Sequence, residues 1–108
     1  MYVFHVTARV APGREAEYER WKVEEGQIQR IAPGFIKRLL LKDRVRPGVY
    51  HYISFWESAE ECARFSSSEA FKSMHADHNP GETFTQPMER YEVDVIFDEV
   101  AEPANLSV

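Results

Sequence analysis

Apolar and polar residues alternate from the second position of the chain. Tyr2, Phe4, Val6, Ala8 and Val10 share one parity, and Val3, His5, Thr7 and Arg9 the other, which predicts a β-strand over residues 2–10. Ala11-Pro12-Gly13 ends it. The spacing of Tyr18, Trp21, Ile28 and Ile31 then predicts a helix over 14–31, with Glu15, Glu17, Glu19, Lys22 and Glu24 mostly turned to solvent. Gly26 sits inside this helix at a cost of up to ~1 kcal/mol relative to Ala. It marks either a bend or a place where another group packs close to the backbone. Ala32-Pro33-Gly34 stops the helix. Residues 35–42 predict a second strand, 43–48 a loop and 49–56 a third strand. That third strand is heavy on both faces, with Val49, His51, Ile53 and Phe55 on one and Tyr50, Tyr52 and Trp56 on the other. A half-solvated strand is polar on one side, so this one is expected to be buried on both.

Ser58 followed by Glu61 reads as a capping box, opening a helix with Ala59, Cys62 and Phe65 on one stripe. Ser66-Ser67-Ser68 breaks the period, residues 69–75 resume it, and 76–87 read as a loop. Alternation returns over 88–100, with Tyr91, Val93, Val95 and Phe97 expected inward against Glu92, Asp94 and Asp98. The order β-α-β-β-α-β predicts an α+β, ferredoxin-like fold, a four-stranded antiparallel sheet with two helices on one face. Residues 1–100 form the expected domain and 101–108 a tail. Two helices cover only one face of the sheet. The aromatic residues of the third strand left on the other face predict a two-fold homodimer, sheet against sheet.

A chain of 108 residues makes one domain, able to bury roughly two thirds of its unfolded surface. A net charge of -5 speaks against nucleic acid, which calls for clustered Lys and Arg. No apolar run approaches the ~20 residues of a membrane helix, and the alternating N-terminus is unlike a signal peptide, so no export is expected. A single cysteine, Cys62, excludes an internal disulfide and fits the cytoplasm. It reads as a small apolar residue on a helix face.

Several stretches together resemble the antibiotic biosynthesis monooxygenase family of the dimeric α+β barrel superfamily. They are Pro33-Gly34-Phe35, FWES at 55–58, SSSEAFKSMH at 66–75 and RYEVDV at 90–95. The resemblance runs over almost the whole chain and implies three alternatives. One is a monooxygenase that lets O2 react with a small aromatic (phenol, quinol or anthrone-like) without a cofactor of its own. Another is a haem-binding or haem-degrading oxygenase with His75 as the axial ligand. The third is a non-catalytic dimeric binding module. The haem degraders are marked by an asparagine on the first strand, a tryptophan on the second helix and a histidine ending it. His75 matches the histidine, whereas Val6 and Phe65 stand at the other two positions.

His75 is accordingly the candidate catalytic residue, as a general base. The alternative is a histidine that complements a helix C-terminus by its charge. Phe4, Val6, Trp21, Phe65 and Phe71 are the candidate substrate-binding residues, lining a space between sheet and helices, or else plain core. Phe71 and His75, at i and i+4, share a helix face. His78 with Asp77 makes only a weak metal pair, so no metal is assigned. His5 and His51 read as partly buried structural histidines bonded to neighbours. No phosphate loop, Rossmann fingerprint, paired-cysteine zinc site or serine-nucleophile elbow is present.

Overall fold

A computed structural model describes residues 1–76, 78 and 80–102. Its elements are β1 (Tyr2–Arg9), α1 (Glu15–Gln29), β2 (Phe35–Lys42), β3 (Val49–Trp56), α2 (Ala59–Ser66), α3 (Glu69–Ala76), α4 (Pro80–Thr83) and β4 (Glu89–Asp94). The strands form one antiparallel sheet in the order β2-β3-β1-β4. The fold is ferredoxin-like α+β, with α1 and the α2–α3 pair on one side of the sheet. No helix among the described residues is long and apolar enough to cross a membrane.

Strand parity decides what the helices cover. In the β1–β3 register Tyr2 opposes Trp56, Phe4 opposes Ser54, Val6 opposes Tyr52 and Ala8 opposes Tyr50. These residues face the helices, and Trp56, Tyr50, Tyr52 and Ala8 are buried. Each large apolar side chain so buried stabilises the fold by roughly 1.5–3 kcal/mol. A bulge between Phe35 and Lys37 switches parity in β2, so Phe35 and Arg38 both point to the helix side. The opposite face carries Val3, His5, Ile53, Phe55, Leu39, Leu41, Tyr91 and Val93, and no helix lies over it.

Several expectations need correction. Tyr91 and Val93 do not turn toward the helices: β4 pairs with β1 so that Tyr91 opposes His5 and Val93 opposes Val3, on the open face. The strand also stops at Asp94, leaving Phe97 80 % exposed. Helix α1 ends at Gln29, so Ile31 falls outside it and is exposed. Lys22 is buried, not solvent-facing, because the buried stripe of α1 runs through Tyr18, Trp21, Lys22, Glu25 and Gln29. The segment 76–87 is not all loop, since α4 forms within it. Of the expected tail, residues 103–108 lie outside the described residues.

Local sequence accounts for the helix boundaries. Glu15 and Glu17 in the first turn of α1 complement its dipole. Ser58 Oγ accepts the Glu61 N–H at 3.3 Å to cap α2. Ser68 divides the α2–α3 pair: its hydroxyl donates to the Phe65 carbonyl at 2.7 Å and accepts the Phe71 N–H at 3.2 Å. That junction sets α3 at an angle that carries His75 back over α1. Gly26 proves to be a close approach. A Cβ there would lie 2.7 Å from Arg38 Nη2, so only glycine lets the guanidinium lie against the helix.

Candidate functional site

Between the sheet and the helices lies a cavity of about 310 Å3, at the small end of the roughly 300–1,000 Å3 of ligand pockets. The structure brings all six candidates, Phe4, Val6, Trp21, Phe65, Phe71 and His75, to its wall. Aromatic residues close both ends. Trp21 and Tyr18 pack with Tyr50 and Phe84 at one end, and Trp56 with Phe65 and Phe71 at the other.

The middle of the cavity is polar, and its key residue is Glu25, only 3 % exposed. Its carboxylate accepts from Lys22 Nζ at 3.3 Å, Arg38 Nη1 at 3.4 Å and His75 Nε2 at 3.1 Å. Arg38 also donates to Gln29 Oε1 at 3.1 Å and to the Lys22 carbonyl. Gln29 in turn accepts from the Tyr52 hydroxyl. Lys22 Nζ lies 4.0 Å above the Tyr52 ring, a cation–π contact that offsets part of its desolvation. Burial pushes the Glu25 carboxyl up, but the His75 hydrogen bond and the Lys22 charge outweigh it, leaving the group below the ordinary glutamate value. Burial lowers Lys22, and Glu25 opposes that shift only in part. Lys22 and Arg38 thus face one carboxylate, and Arg90 reaches the same cavity from β4. Together they give its polar wall a positive surplus.

His75 is held on three sides. Phe71 stacks on its ring at 3.9 Å between centroids and Trp21 meets it edge-on at 5.1 Å. Nδ1 lies 2.9 Å from the Phe71 carbonyl, and Nε2 faces Glu25. A carbonyl and a carboxylate both accept, so the ring satisfies both partners only as imidazolium, with a proton on each nitrogen. As neutral imidazole with its proton on Nδ1, it has a lone pair on Nε2. The arrangement can therefore store a proton taken up at Nε2 and stabilise it against Glu25.

The other candidates fall elsewhere. His78 stacks on the outer face of this wall, 4.1 Å from the Trp21 ring, while Asp77 lies outside the described residues. Among the described residues no cluster of three His, Cys, Asp or Glu side chains could hold a metal ion. His5 Nε2 and His51 Nδ1 are 3.2 Å apart on the open face, and burial, then His51, lowers the His5 value. Cys62 is buried and its thiol is pushed up to about 11 by burial and the Glu92 charge, the reverse of an activated nucleophile. Lys22, Glu25, Gln29, Arg38, Tyr52 and Arg90 join the site without having been singled out. One signal was present: positions 18, 21, 22, 25 and 29 continue the Tyr18–Trp21 stripe at helical spacing, around a glycine.

An axial haem ligand offers iron the lone pair of one imidazole nitrogen. Here the Nδ1 contact with the Phe71 carbonyl leaves Nε2 as the nitrogen that would have to bind iron, and Nε2 stands 3.1 Å from the buried Glu25 carboxylate. At the two other haem-marking positions, Val6 offers no hydrogen-bond donor and Phe65 lacks the indole. The residues present do not fit haem.

The architecture is that of a ferredoxin-like α+β domain with an aromatic cavity between sheet and helices. The chain belongs to the antibiotic biosynthesis monooxygenase family, whose model matches residues 1–77. Solved structures share the fold at low identity. A point mutant of SnoaB, a cofactor-independent oxygenase from Streptomyces nogalater, is 18% identical over 90% of this chain and 94% of its own, with a TM-score of 0.77. A point mutant of MhuD, with two manganese protoporphyrin IX bound per active site, is 23% identical over 94% of this chain and 100% of its own, with a TM-score of 0.77. PA3566 from Pseudomonas aeruginosa is 17% identical over 89% and 94%, with a TM-score of 0.74. No curated protein matches the chain.

Proposed function

We propose that this member of the family is a monooxygenase that oxidises a small aromatic carrying an acidic O–H or C–H with O2, without a cofactor of its own. The observation that carries this reading is the contact between His75 Nε2 and the buried Glu25 carboxylate inside an aromatic cavity. In this reading the His75–Glu25 pair takes up the substrate proton, with Nδ1 held on the Phe71 carbonyl and Nε2 beside the carboxylate. Once the proton is taken up, the imidazolium stands 3.1 Å from the Glu25 carboxylate. General-base positioning of this kind contributes about 10²–10⁴-fold. Lys22 and Arg90 stabilise the substrate anion that remains.

That anion passes one electron to O2, and the resulting radical pair recombines at a ring carbon. Loss of water from the hydroperoxide leaves a new carbonyl: one oxygen atom enters the ring, the other departs as water, and both hydrogens come from the substrate. The aromatic walls orient the ring and exclude solvent. A second copy of the chain covers the open sheet face in this reading, as its apolar residues favour.

Oxygen uptake with a panel of anthrones and naphthohydroquinones, corrected for autoxidation, tests the proposal. One O2 should be consumed per substrate, and His75→Ala should lower kcat at least about 100-fold. No uptake across a panel shown to bind, or a His75→Ala rate equal to wild type, would leave a dimeric binding module as the better account.

A further inference from the structure

Lysine is almost never buried without a reason, and Lys22 is buried on the covered stripe of α1, whose residues Tyr18, Trp21, Glu25 and Gln29 line the cavity with it. The chain's other lysines, Lys37, Lys42 and Lys72, are all exposed. The Lys22 side chain still keeps 11 % of its surface accessible, against 3 % for Glu25 beside it. Nζ stands 3.3 Å from Glu25 Oε1 and 4.0 Å above the Tyr52 ring, and both of those residues belong to the cavity wall.

The surroundings of this amine favour reaction over simple charge pairing. An ammonium has no lone pair to offer a carbonyl, whereas a neutral amine is a nucleophile, and lysines become one when desolvated beside other cations. Burial lowers Lys22, and the charges of Arg38 and Arg90 push the same way against the pull of Glu25. Glu25 also divides its own charge. Its Oε1 accepts from Lys22 and Arg38, and its Oε2 faces His75 Nε2 at 3.1 Å. One carboxylate therefore joins the amine to an imidazole. A proton leaving Lys22 can go to Glu25 and, through it, to His75.

We propose that Lys22 captures a carbonyl ligand covalently, as a Schiff base with an aromatic aldehyde or an unhindered aryl ketone held in the cavity. This goes beyond the monooxygenase reading and uses no O2. Lys22 first passes a proton to the Glu25–His75 pair, and its lone pair forms a C–N bond to the carbonyl carbon. The former carbonyl oxygen takes that proton and becomes a hydroxyl group. A second proton moves from nitrogen to this hydroxyl by the same carboxylate. The C–O bond then breaks, water leaves, and the nitrogen lone pair completes the C=N bond. The net change turns ammonium and carbonyl into iminium and water, with nothing oxidised or reduced. Nitrogen carries one positive charge before and after, so Glu25 is never left as a buried anion without its cation.

Incubation with benzaldehyde and cyanoborohydride near neutral pH, followed by peptide mapping by mass spectrometry, tests the capture. The reductant fixes any Schiff base as a secondary amine. Lys22 should gain its benzyl group at least about tenfold faster than Lys37, Lys42 or Lys72, since each unit by which an amine is lowered gives about ten times more of the neutral form. In urea-unfolded protein the four lysines should react alike. Lys22→Arg, whose guanidinium stays charged beside Glu25, should lose the fast lysine adduct. Even labelling of the lysines in the folded chain, an excess at Lys22 that persists in urea, or a fast lysine adduct that survives Lys22→Arg overturns the proposal. Capture without oxygen uptake on any substrate leaves the proposal standing and removes the monooxygenase reading. Uptake without capture does the opposite.

Discussion

Removing the Glu25 carboxylate tests the reasoning about the buried cluster most directly. Glu25 is 3 % exposed and accepts from Lys22, Arg38 and His75. In Glu25→Ala these partners lose their common anion at unequal cost. Arg38 keeps Gln29 Oε1 and the Lys22 carbonyl. Lys22 keeps only aromatic faces, Tyr52 nearest with Trp21 and Tyr18 farther off, since Glu25 is its one hydrogen-bond acceptor among the described residues. Deleting one member of a buried ion pair costs about 3–5 kcal/mol. Arg38's remaining bonds place this case at the lower end, about 3 kcal/mol, against a whole-fold stability of roughly 5–15 kcal/mol. The double variant Lys22→Met, Glu25→Leu should recover most of that loss, because replacing both charges removes the orphaned cation. Urea unfolding at several pH values measures both. The Glu25 carboxyl is held below its ordinary value of 4.5. Its contribution is therefore complete above that value and is lost as pH falls through the lowered folded value. The gap between wild type and Glu25→Ala should hold from pH 7 to about pH 5 and narrow on further acidification. A gap under about 1 kcal/mol at pH 7, or one that widens in acid, would refute the account of Glu25 as the cluster's shared anion.

Gly26→Ala should destabilise by about 1 kcal/mol despite Ala's better helix propensity, because the new Cβ displaces Arg38 from its acceptors. A gain in stability by thermal melting would show that Arg38 swings away freely. Val93→Arg places a charge on the open sheet face and should turn a homodimer into a monomer by analytical ultracentrifugation; a wild-type monomer at micromolar concentration would remove the dimer altogether. Titration with hemin should give no saturable Soret change that depends on His75. A change abolished by His75→Ala would reinstate haem as the ligand.

The β-sheet was legible because an antiparallel strand with one covered face writes its parity into the chain. Tyr2, Phe4, Val6 and Ala8 could be read directly, and so could the two heavy faces of β3. Parity does not say which side the helices take, and for Tyr91 and Val93 the expected side was the wrong one. An apolar residue that turns toward helices and one that turns toward an uncovered face look alike in sequence. The aromatic wall of the cavity was legible on the same terms, and with it His75, because Phe71 and His75 share a helix face. The polar middle was not. Lys22, Glu25 and Gln29 occupy the buried stripe of α1, yet charged residues on a helix ordinarily read as its solvent face. Their partners Arg38, Tyr52 and His75 stand between 9 and 50 positions away along the chain. No local pattern records a charge network assembled across that distance. Gly26 was the local trace of it, being small because Arg38 lies against it.

The edge strand β4 ties the two unfinished parts of this structure together. Its residues from Glu89 to Asp94 are all exposed in the single chain, and its ladder is with β1 alone. Alternation along it sends Arg90 to the cavity side and Tyr91 and Val93 to the open face. A strand held on one edge and bare on its apolar face is the least secured part of the sheet. With a second copy packed over Tyr91 and Val93, the same strand gains the apolar burial it lacks, and Arg90 is steadied at the cavity wall. Covering the open face therefore completes more than an interface. It fixes one of the cations that give the cavity its positive surplus, and so a change that breaks the dimer at Val93 should also weaken binding of an anionic ligand more than it weakens binding of a neutral one.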